Sequence, residues 1–270
     1  MLDQWSKTNA VDFDPSPNPF APDWIENYLQ LVYALEVTTQ KLDPALHAMT
    51  TSYLLEAAYR GYGNPPDAFT QGSPEWNTIS SIRRNVFQFS AAKQYQQVLV
   101  MSHFIYDGGL KVPYSDFKKL ADKVFTEYNK NYLRTEFITA VGQAQSARDW
   151  VYFESNKSTH PWLKYHTQAD TRVRPEHVVL DGFTAKIDDP AWRSIAPKNG
   201  WRCRCFLTAH ERGRRSKTPL PQFGTKEFPA VFEMNPGIDK LIFDPKTHPY
   251  FRVQRGDQEL KKANFNLPVE

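Results

Sequence analysis

Two proline steps, Asp43–Pro44 and Ser73–Pro74, constrain the fold most, because each precedes a long series of apolar residues at helical spacing. Asp or Ser at the N-cap followed by Pro at the first helical position is a common start of a helix. The first series stops near Gly61, and the second continues to Gly108–Gly109. The sequence therefore predicts one helix after the first step and one long helix, or two, after the second.

Apolar residues recur at the same helical spacing in two further segments, 24–37 and 115–150. Asp23 and Glu26 form a capping-box pattern at the start of the first of these. The opening residues 1–22 are rich in Pro, Asp and Asn and have no period, which predicts an extended arm. We expect residues 23–157 to form a mainly helical domain.

The pattern changes at residue 158, where short β-prone runs replace the helical period. These runs are 162–167, 177–182 and 204–209. They predict a small mixed α/β module over 158–215, and the Pro-rich segments beyond it predict an irregular, extended tail, 216–270, that packs on the rest. The predicted fold class is α+β.

Composition excludes several classes of protein. Hydrophobic residues make up 40% of the 270-residue chain, which is enough for a sizeable core. No apolar run approaches the roughly 18 residues of a membrane span, and no signal peptide is visible, so we expect a cytoplasmic protein with no membrane partner. Two cysteines cannot build a disulfide framework, and the net charge of +3 is mild.

Both cysteines, Cys203 and Cys205, lie in the run "NGWRCRC". On a strand, side chains two residues apart project from the same face, which suits two ligands of one tetrahedral zinc ion. His177 and His210 are the candidate imidazole ligands, and Asp170 is a weaker oxygen donor. The alternative is that the thiols are small buried hydrophobes beside a hydrogen-bonded core histidine.

Charged residues crowd the same region. Arginine binds carboxylates through two parallel hydrogen bonds, so this set predicts an ion-pair network that fixes loops. The alternative is that the aspartates and His177 form an acid/base or metal-hydrolase site. Because no known nucleophile or phosphate-binding motif occurs, no catalytic residue is predicted. The charged residues are Asp170, Arg172, Arg174, Asp181, Asp188, Asp189, Arg202 and Arg204.

A basic run follows the cysteines and contains Arg212, Arg214 and Arg215. Arginines in such a run can bind DNA phosphates with little sequence preference. The alternative is a solvated surface loop.

Three segments together resemble the signature of the bacteriophage Mu F-like minor head proteins, also called phage head morphogenesis proteins. They are "DTRVRPEHVVLDG" (170–182), "DDPAW" (188–192) and "PKNGWRCRC" (197–205). Upstream, "NYLRTEF" (131–137) resembles a helix of the family, and downstream "FEMNPG" and "HPYF" resemble its tail. The resemblance covers about 131–251.

The resemblance implies a structural virion component without catalysis, inside the head near the portal and acting in head assembly or in DNA packaging and delivery. Its implied partners are the portal protein, other head or scaffold proteins and packaged DNA, with host cytoplasm as the site of assembly. Two alternatives are a metal-dependent hydrolase or delivered effector enzyme, and a non-specific DNA-binding virion protein.

The resemblance also bears on the cysteines, since some relatives carry a Cys-x-x-Cys pair where this chain has Arg174 and His177. A zinc ion is the only implied cofactor. It would be bound by His177, Cys203 and Cys205, with His210, Asp170 or water as the fourth ligand. Alternatively, Arg174 replaces the metal by bonding to a carboxylate such as Asp170 or Glu136.

Overall fold

The computed structural model describes residues 18–270, so most of the predicted arm lies outside the described residues. Residues 18–21 precede the first helix. The predicted α+β class is confirmed, with 53% of the structure helical and a small antiparallel sheet. The long helices are α1 (Pro22–Tyr33), α2 (Pro44–Tyr62), α3 (Pro74–Ser102), α4 (Tyr114–Thr126) and α5 (Leu133–Asn156).

The two proline steps start helices as predicted. The Asp43 carboxylate accepts a hydrogen bond from the Leu46 backbone N–H at 2.7 Å. The Ser73 hydroxyl accepts one from the Trp76 N–H at 3.1 Å. Each side chain thus satisfies one of the N–H groups that the first turn of a helix leaves unpaired.

The predicted capping box at the start of α1 is wrong. The helix begins at Pro22 after Ala21, and no side chain caps it. The Glu26 carboxylate instead binds the Lys118 ammonium at 2.7 Å. Proline at the first helical position removes one of the N–H groups that a cap would satisfy, so the helix starts without the box.

The predicted end of α3 at Gly108–Gly109 is also wrong. The helix ends at Ser102, and the two glycines connect a two-stranded hairpin of β1 (Tyr106–Asp107) and β2 (Leu110–Lys111). The glycines have φ values of 54° and 84°. A two-residue hairpin turn of this kind needs positive φ at both positions, which glycine adopts without steric cost.

Two compact units divide the described chain. The first unit contains 57–82 and 138–244, and the second contains 18–56, 83–137 and 245–270. The boundaries predicted after residues 157 and 215 remain a prediction.

The first unit contains a three-stranded antiparallel sheet in the order β4 (Thr184–Lys186), β3 (Trp162–His166), β5 (Phe206–His210). Its buried face packs against aromatic residues of α5 and against Trp192. Three one-turn helices, α6 (Pro175–Val178), α7 (Trp192–Ile195) and α8 (Pro236–Asp239), complete the unit's helices after α5. The core of this unit includes Trp150, Phe153, Leu163, Tyr165, Ala185, Trp192, Cys203, Cys205 and Leu207.

The run 177–182 does not form the strand that its β-prone residues predicted. It begins inside α6, where Pro175 starts the helix, and continues as a turn through Gly182. Val178 and Val179 are both more than half exposed. Proline at the first helical position here overrides the β preference of the two valines.

The segment predicted as a tail is mostly irregular. Within 216–270 the longest helix is the five-residue α9 (Gln258–Lys262), accompanied by α8 and several 3₁₀ turns. Residues 216–244 belong to the first unit and 245–270 to the second. Within residues 18–270, no helix has the length and apolarity that crossing a membrane requires.

The second unit contains a buried ion pair between α3 and α5. The Lys93 ammonium lies 2.6 Å from the Glu136 carboxylate, and the two side chains are 1% and 3% exposed. The Tyr250 hydroxyl donates a hydrogen bond to the other Glu136 oxygen at 3.0 Å. The irregular C-terminal segment is therefore bonded to this pair.

We expect Gly61→Ala to destabilise the protein by about 1–3 kcal/mol, because the added methyl group would overpack a close approach of α2 and α5. A Cβ atom at Gly61 would lie 2.1 Å from the Val141 carbonyl oxygen. Urea unfolding measures the effect, with Gly256→Ala as the control, since a Cβ there meets no atom within 4 Å. Equal stability of the two variants would contradict the close approach.

Candidate metal centre

His177 is positioned by α6, the one-turn helix that Pro175 starts. The His177 backbone N–H donates to the Arg174 carbonyl at 2.9 Å, and the Leu180 N–H donates to the His177 carbonyl at 3.1 Å. The Phe228 ring stacks on the imidazole at 5.5 Å between centroids. These contacts hold the ring in the core of the first unit, where its side chain is buried.

The two cysteines precede β5 and lie in irregular chain, not on the predicted strand. Their sulfurs nevertheless converge on the same atom: Cys203 Sγ lies 3.5 Å and Cys205 Sγ 3.7 Å from His177 Nδ1. Trp201 and Arg202 form a turn just before them, and Arg202 has a φ of 57°. That turn, and not strand alternation, brings the sulfurs to one side.

The separations fit a metal ion. Zinc bonds of about 2.3 Å to sulfur and about 2.05 Å to nitrogen, at tetrahedral angles, place the sulfur and nitrogen about 3.6 Å apart. His177, Cys203 and Cys205 are the group of potential ligands that the described residues bring together, with all three ligand atoms within 4.8 Å of one another. The donor set of one imidazole and two thiols is the one that zinc prefers.

The histidine is not satisfied by ordinary hydrogen bonds. Among residues 18–270, its Nδ1 has the two sulfurs as neighbours, and these are weak hydrogen-bonding groups. Its Nε2 is buried and has no hydrogen-bond partner among the described residues. A cation bound between Nδ1 and the two sulfurs would give that ring nitrogen a full partner, so the Nδ1 side of the ring favours a ligand over the hydrogen-bonded alternative.

The thiols differ in their readiness to ionise. A hydrogen bond from the Cys205 thiol, aided by His177, lowers the pKa of Cys203 well below its usual value. The neighbouring Cys203 thiolate and burial raise the pKa of Cys205. The pair therefore favours one thiolate and one thiol in the absence of a cation, and a metal ion would stabilise the second thiolate.

A layer of buried polar groups supports the segment that carries the cysteines. The Lys198 ammonium donates to the Cys205 carbonyl at 2.8 Å. The Lys198 carbonyl accepts from the Gln143 amide at 3.1 Å, and the Tyr165 hydroxyl donates to Asn199 at 3.0 Å. No sequence pattern singled out these polar residues, although Lys198 and Asn199 belong to the quoted segment "PKNGWRCRC".

Neither predicted fourth ligand joins the cluster. His210 lies at the end of β5, where its Nε2 is 2.7 Å from the Thr208 hydroxyl. Asp170 is bound in two hydrogen bonds, of 2.6 and 2.7 Å, by the Arg204 guanidinium. Those bonds lower the pKa of Asp170 to about 2. Both side chains are thus held elsewhere.

The predicted ion-pair network is only partly assembled. Arg172 lies 3.9 Å from the same Asp170 carboxylate that Arg204 binds. The Arg174 side chain donates to the Trp201 carbonyl at 2.6 Å, and its bond to a carboxylate such as Asp170 or Glu136 remains a prediction. Glu136 belongs to the second unit and binds Lys93 there.

Arg202 makes a different contribution to this region. Its exposed side chain lies beside the cluster, and its backbone N–H donates to the Thr139 hydroxyl at 3.3 Å.

In the basic run, Arg212 and Arg214 are exposed, and Arg215 pairs with Asp189 at 2.5 Å. The predicted contact of this run with nucleic acid remains a prediction.

Comparison with known proteins gives one family. Residues 90–208 match the family described as "Phage Mu protein F like protein". The match confirms the predicted resemblance over a different range from the predicted 131–251. It begins at residue 90, within α3, and ends at residue 208, before the predicted tail. No solved structure matches the chain.

Two relatives carry names that refer to phage Mu or to a Mu-like prophage. Over 80 residues the chain is 35% identical to the "Mu-like prophage FluMu F protein" of Haemophilus influenzae, covering 30% of this chain and 18% of the relative. Over 108 residues it is 29% identical to the "Putative capsid assembly protein F" of Escherichia phage Mu, covering 40% of this chain and 25% of the relative. The matched part is thus a quarter or less of either relative.

Proposed function

We propose, from the match of residues 90–208 to the phage Mu F-like family, that this chain is a minor head protein of a tailed phage or prophage. In this proposal it is located inside the head near the portal, after assembly in the host cytoplasm. The observation that carries the proposal is the family match over 90–208, which includes the buried cysteine–histidine cluster. The name of the phage Mu relative, a putative capsid assembly protein, supports a role in building the head.

The test is removal of the gene from the phage or prophage that encodes the chain. We expect fewer infectious particles and a larger share of heads without DNA in electron micrographs, both restored by supplying the wild-type chain. Mass spectrometry of purified heads should find the chain at a few copies per particle. Normal yields of infectious, DNA-filled heads without the gene would contradict the proposal.

We further propose that His177, Cys203 and Cys205 hold one zinc ion that stabilises residues 158–215 as the Mu F-like signature module. All three side chains are buried, and both cysteines belong to the aromatic core of the first unit. This burial supports a structural role over a hydrolytic one. Water would complete the coordination, since His210 and Asp170 are bound elsewhere.

Packaged DNA is a further proposed partner, through Arg212 and Arg214. Both side chains are exposed in a segment with no regular structure. Filter binding of duplex DNA at two salt concentrations tests this proposal, because phosphate contacts make binding fall steeply with salt. Binding that is unchanged in an Arg212→Gln, Arg214→Gln variant would contradict it.

A further inference from the structure

A small cavity opens beside the cysteine–histidine cluster. It has a volume of about 20 Å³, and His177, Cys203 and Cys205 all line it. That volume is enough for one water molecule or one oxygen atom of a ligand. The rest of the lining includes four arginines, Arg172, Arg174, Arg202 and Arg204.

The guanidinium of Arg174 lies close to the imidazole. A Cβ atom built on Gly200 would be 3.2 Å from an Arg174 guanidinium nitrogen and 3.6 Å from His177 Cε1, so both groups flank the same point. The Arg174 bond to the Trp201 carbonyl holds the guanidinium there. A larger residue at position 200 would crowd the Arg174 guanidinium.

The charges around the cavity favour an anion. Two thiolates cancel the double positive charge of zinc, and a neutral imidazole adds none, so the metal with its three ligands is neutral overall. The four arginines add positive charge, which the single carboxylate of Asp170, beside Arg204 and Arg172, offsets only in part. An anionic fourth ligand would therefore meet a net positive lining.

We propose that the fourth metal position, together with the arginines at the cavity mouth, binds a phosphate group. The inference rests on the zinc centre proposed above. One phosphate oxygen would enter the cavity, and the remaining oxygens would meet Arg172 and Arg202, whose side chains are exposed there. A phosphate has enough oxygens for a metal ion and two guanidinium groups at once, whereas a carboxylate has two.

Cobalt substitution provides the readout. Co²⁺ added to the metal-free full-length protein should give the intense thiolate-to-cobalt absorption of a cysteine-ligated ion, with visible bands that respond to the fourth ligand. We expect inorganic phosphate to shift the visible bands saturably and acetate at the same ionic strength to shift them far less. A short DNA duplex as a third ligand distinguishes a nucleic-acid phosphate, which would also shift the bands, from free phosphate only.

Two variants test the arginines. The double variant Arg172→Gln, Arg202→Gln should bind phosphate about tenfold more weakly or more weakly still, as read from the phosphate concentration that gives half of the shift. Each substitution removes one charge-assisted hydrogen bond. Arg193→Gln is the control, because Arg193 is exposed and does not line the cavity. The proposal predicts that this variant binds phosphate as the wild type does.

The outcomes separate the two proposals. Absence of the thiolate-to-cobalt absorption would overturn the metal centre itself. A normal cobalt spectrum that phosphate leaves unchanged, or shifts no more than acetate does, would overturn the phosphate site alone. An equal response of the double arginine variant and Arg193→Gln would overturn the role of the arginines.

Discussion

Replacing Lys93 by methionine is expected to lower the free energy of unfolding by about 3–5 kcal/mol, because the change leaves a buried carboxylate without its partner. The Lys93 ammonium and the Glu136 carboxylate are 2.6 Å apart and almost fully buried. Around the ammonium lie the rings of Tyr128 and Tyr250, with centroids 5.8 and 5.5 Å away. Urea unfolding of the variant and the wild type measures the difference.

The control is Lys118→Met, which removes a partly exposed pair with Glu26 and should cost less than about 1 kcal/mol. Adding Glu136→Gln to Lys93→Met should recover part of the loss, since the amide is neutral and can still accept the Tyr250 hydrogen bond. A Lys93→Met variant that is no less stable than Lys118→Met would contradict the account of the pair.

The effect of Lys93→Met should also depend on pH. Burial raises the pKa of Glu136 above its usual value even beside Lys93, whose charge lowers it. Without Lys93 the pKa of the folded state rises further above that of the unfolded state. A raised folded-state pKa gives stability at low pH that is lost as pH rises, so the deficit of the variant should shrink as pH falls from 7 towards 4.5.

Removal of zinc is expected to produce the second large effect. A ligand that binds only the folded state at a free concentration 1,000 times its Kd stabilises that state by about 4 kcal/mol. Thermal unfolding with zinc and after chelation should therefore show a clear drop in Tm for the wild type. Cys203→Ser with Cys205→Ser should unfold at the same Tm in both conditions.

Gly256→Ala serves as the matched control for this experiment. It changes a position where an added Cβ meets no atom within 4 Å and should respond to zinc as the wild type does. A wild-type Tm that chelation leaves unchanged, or a double serine variant that zinc stabilises equally, would contradict a role for the cluster in stability.

Local signals in the sequence identified the long helices and two of the three strands of the small sheet, since β3 lies within the predicted run 162–167 and β5 overlaps the predicted run 204–209. Asp43 and Ser73 cap their helices through contacts with residues three positions away, which a sequence pattern contains in full. The run 177–182 has β-prone residues but no strand partner to pair with, and Pro175 starts a helix there. Strand formation depends on pairing and burial that residue preferences do not encode.

The candidate site was also predicted only in part. Ligand chemistry alone identified His177, Cys203 and Cys205, and the structure brings them together. The fourth ligand could not be predicted, because the distance of His210 along the chain says nothing of where β5 directs it. Lys93 was missed because a lysine among the polar residues of a long helix looks like a solvent-facing residue until its partner is known.

The metal content of the purified full-length protein tests most directly whether His177, Cys203 and Cys205 hold zinc. Inductively coupled plasma mass spectrometry should find about one zinc ion per chain for this three-residue donor set. The Cys203→Ser, Cys205→Ser variant should contain almost none. A folded wild-type protein that contains no zinc, and takes up none when incubated with it, would contradict the claim.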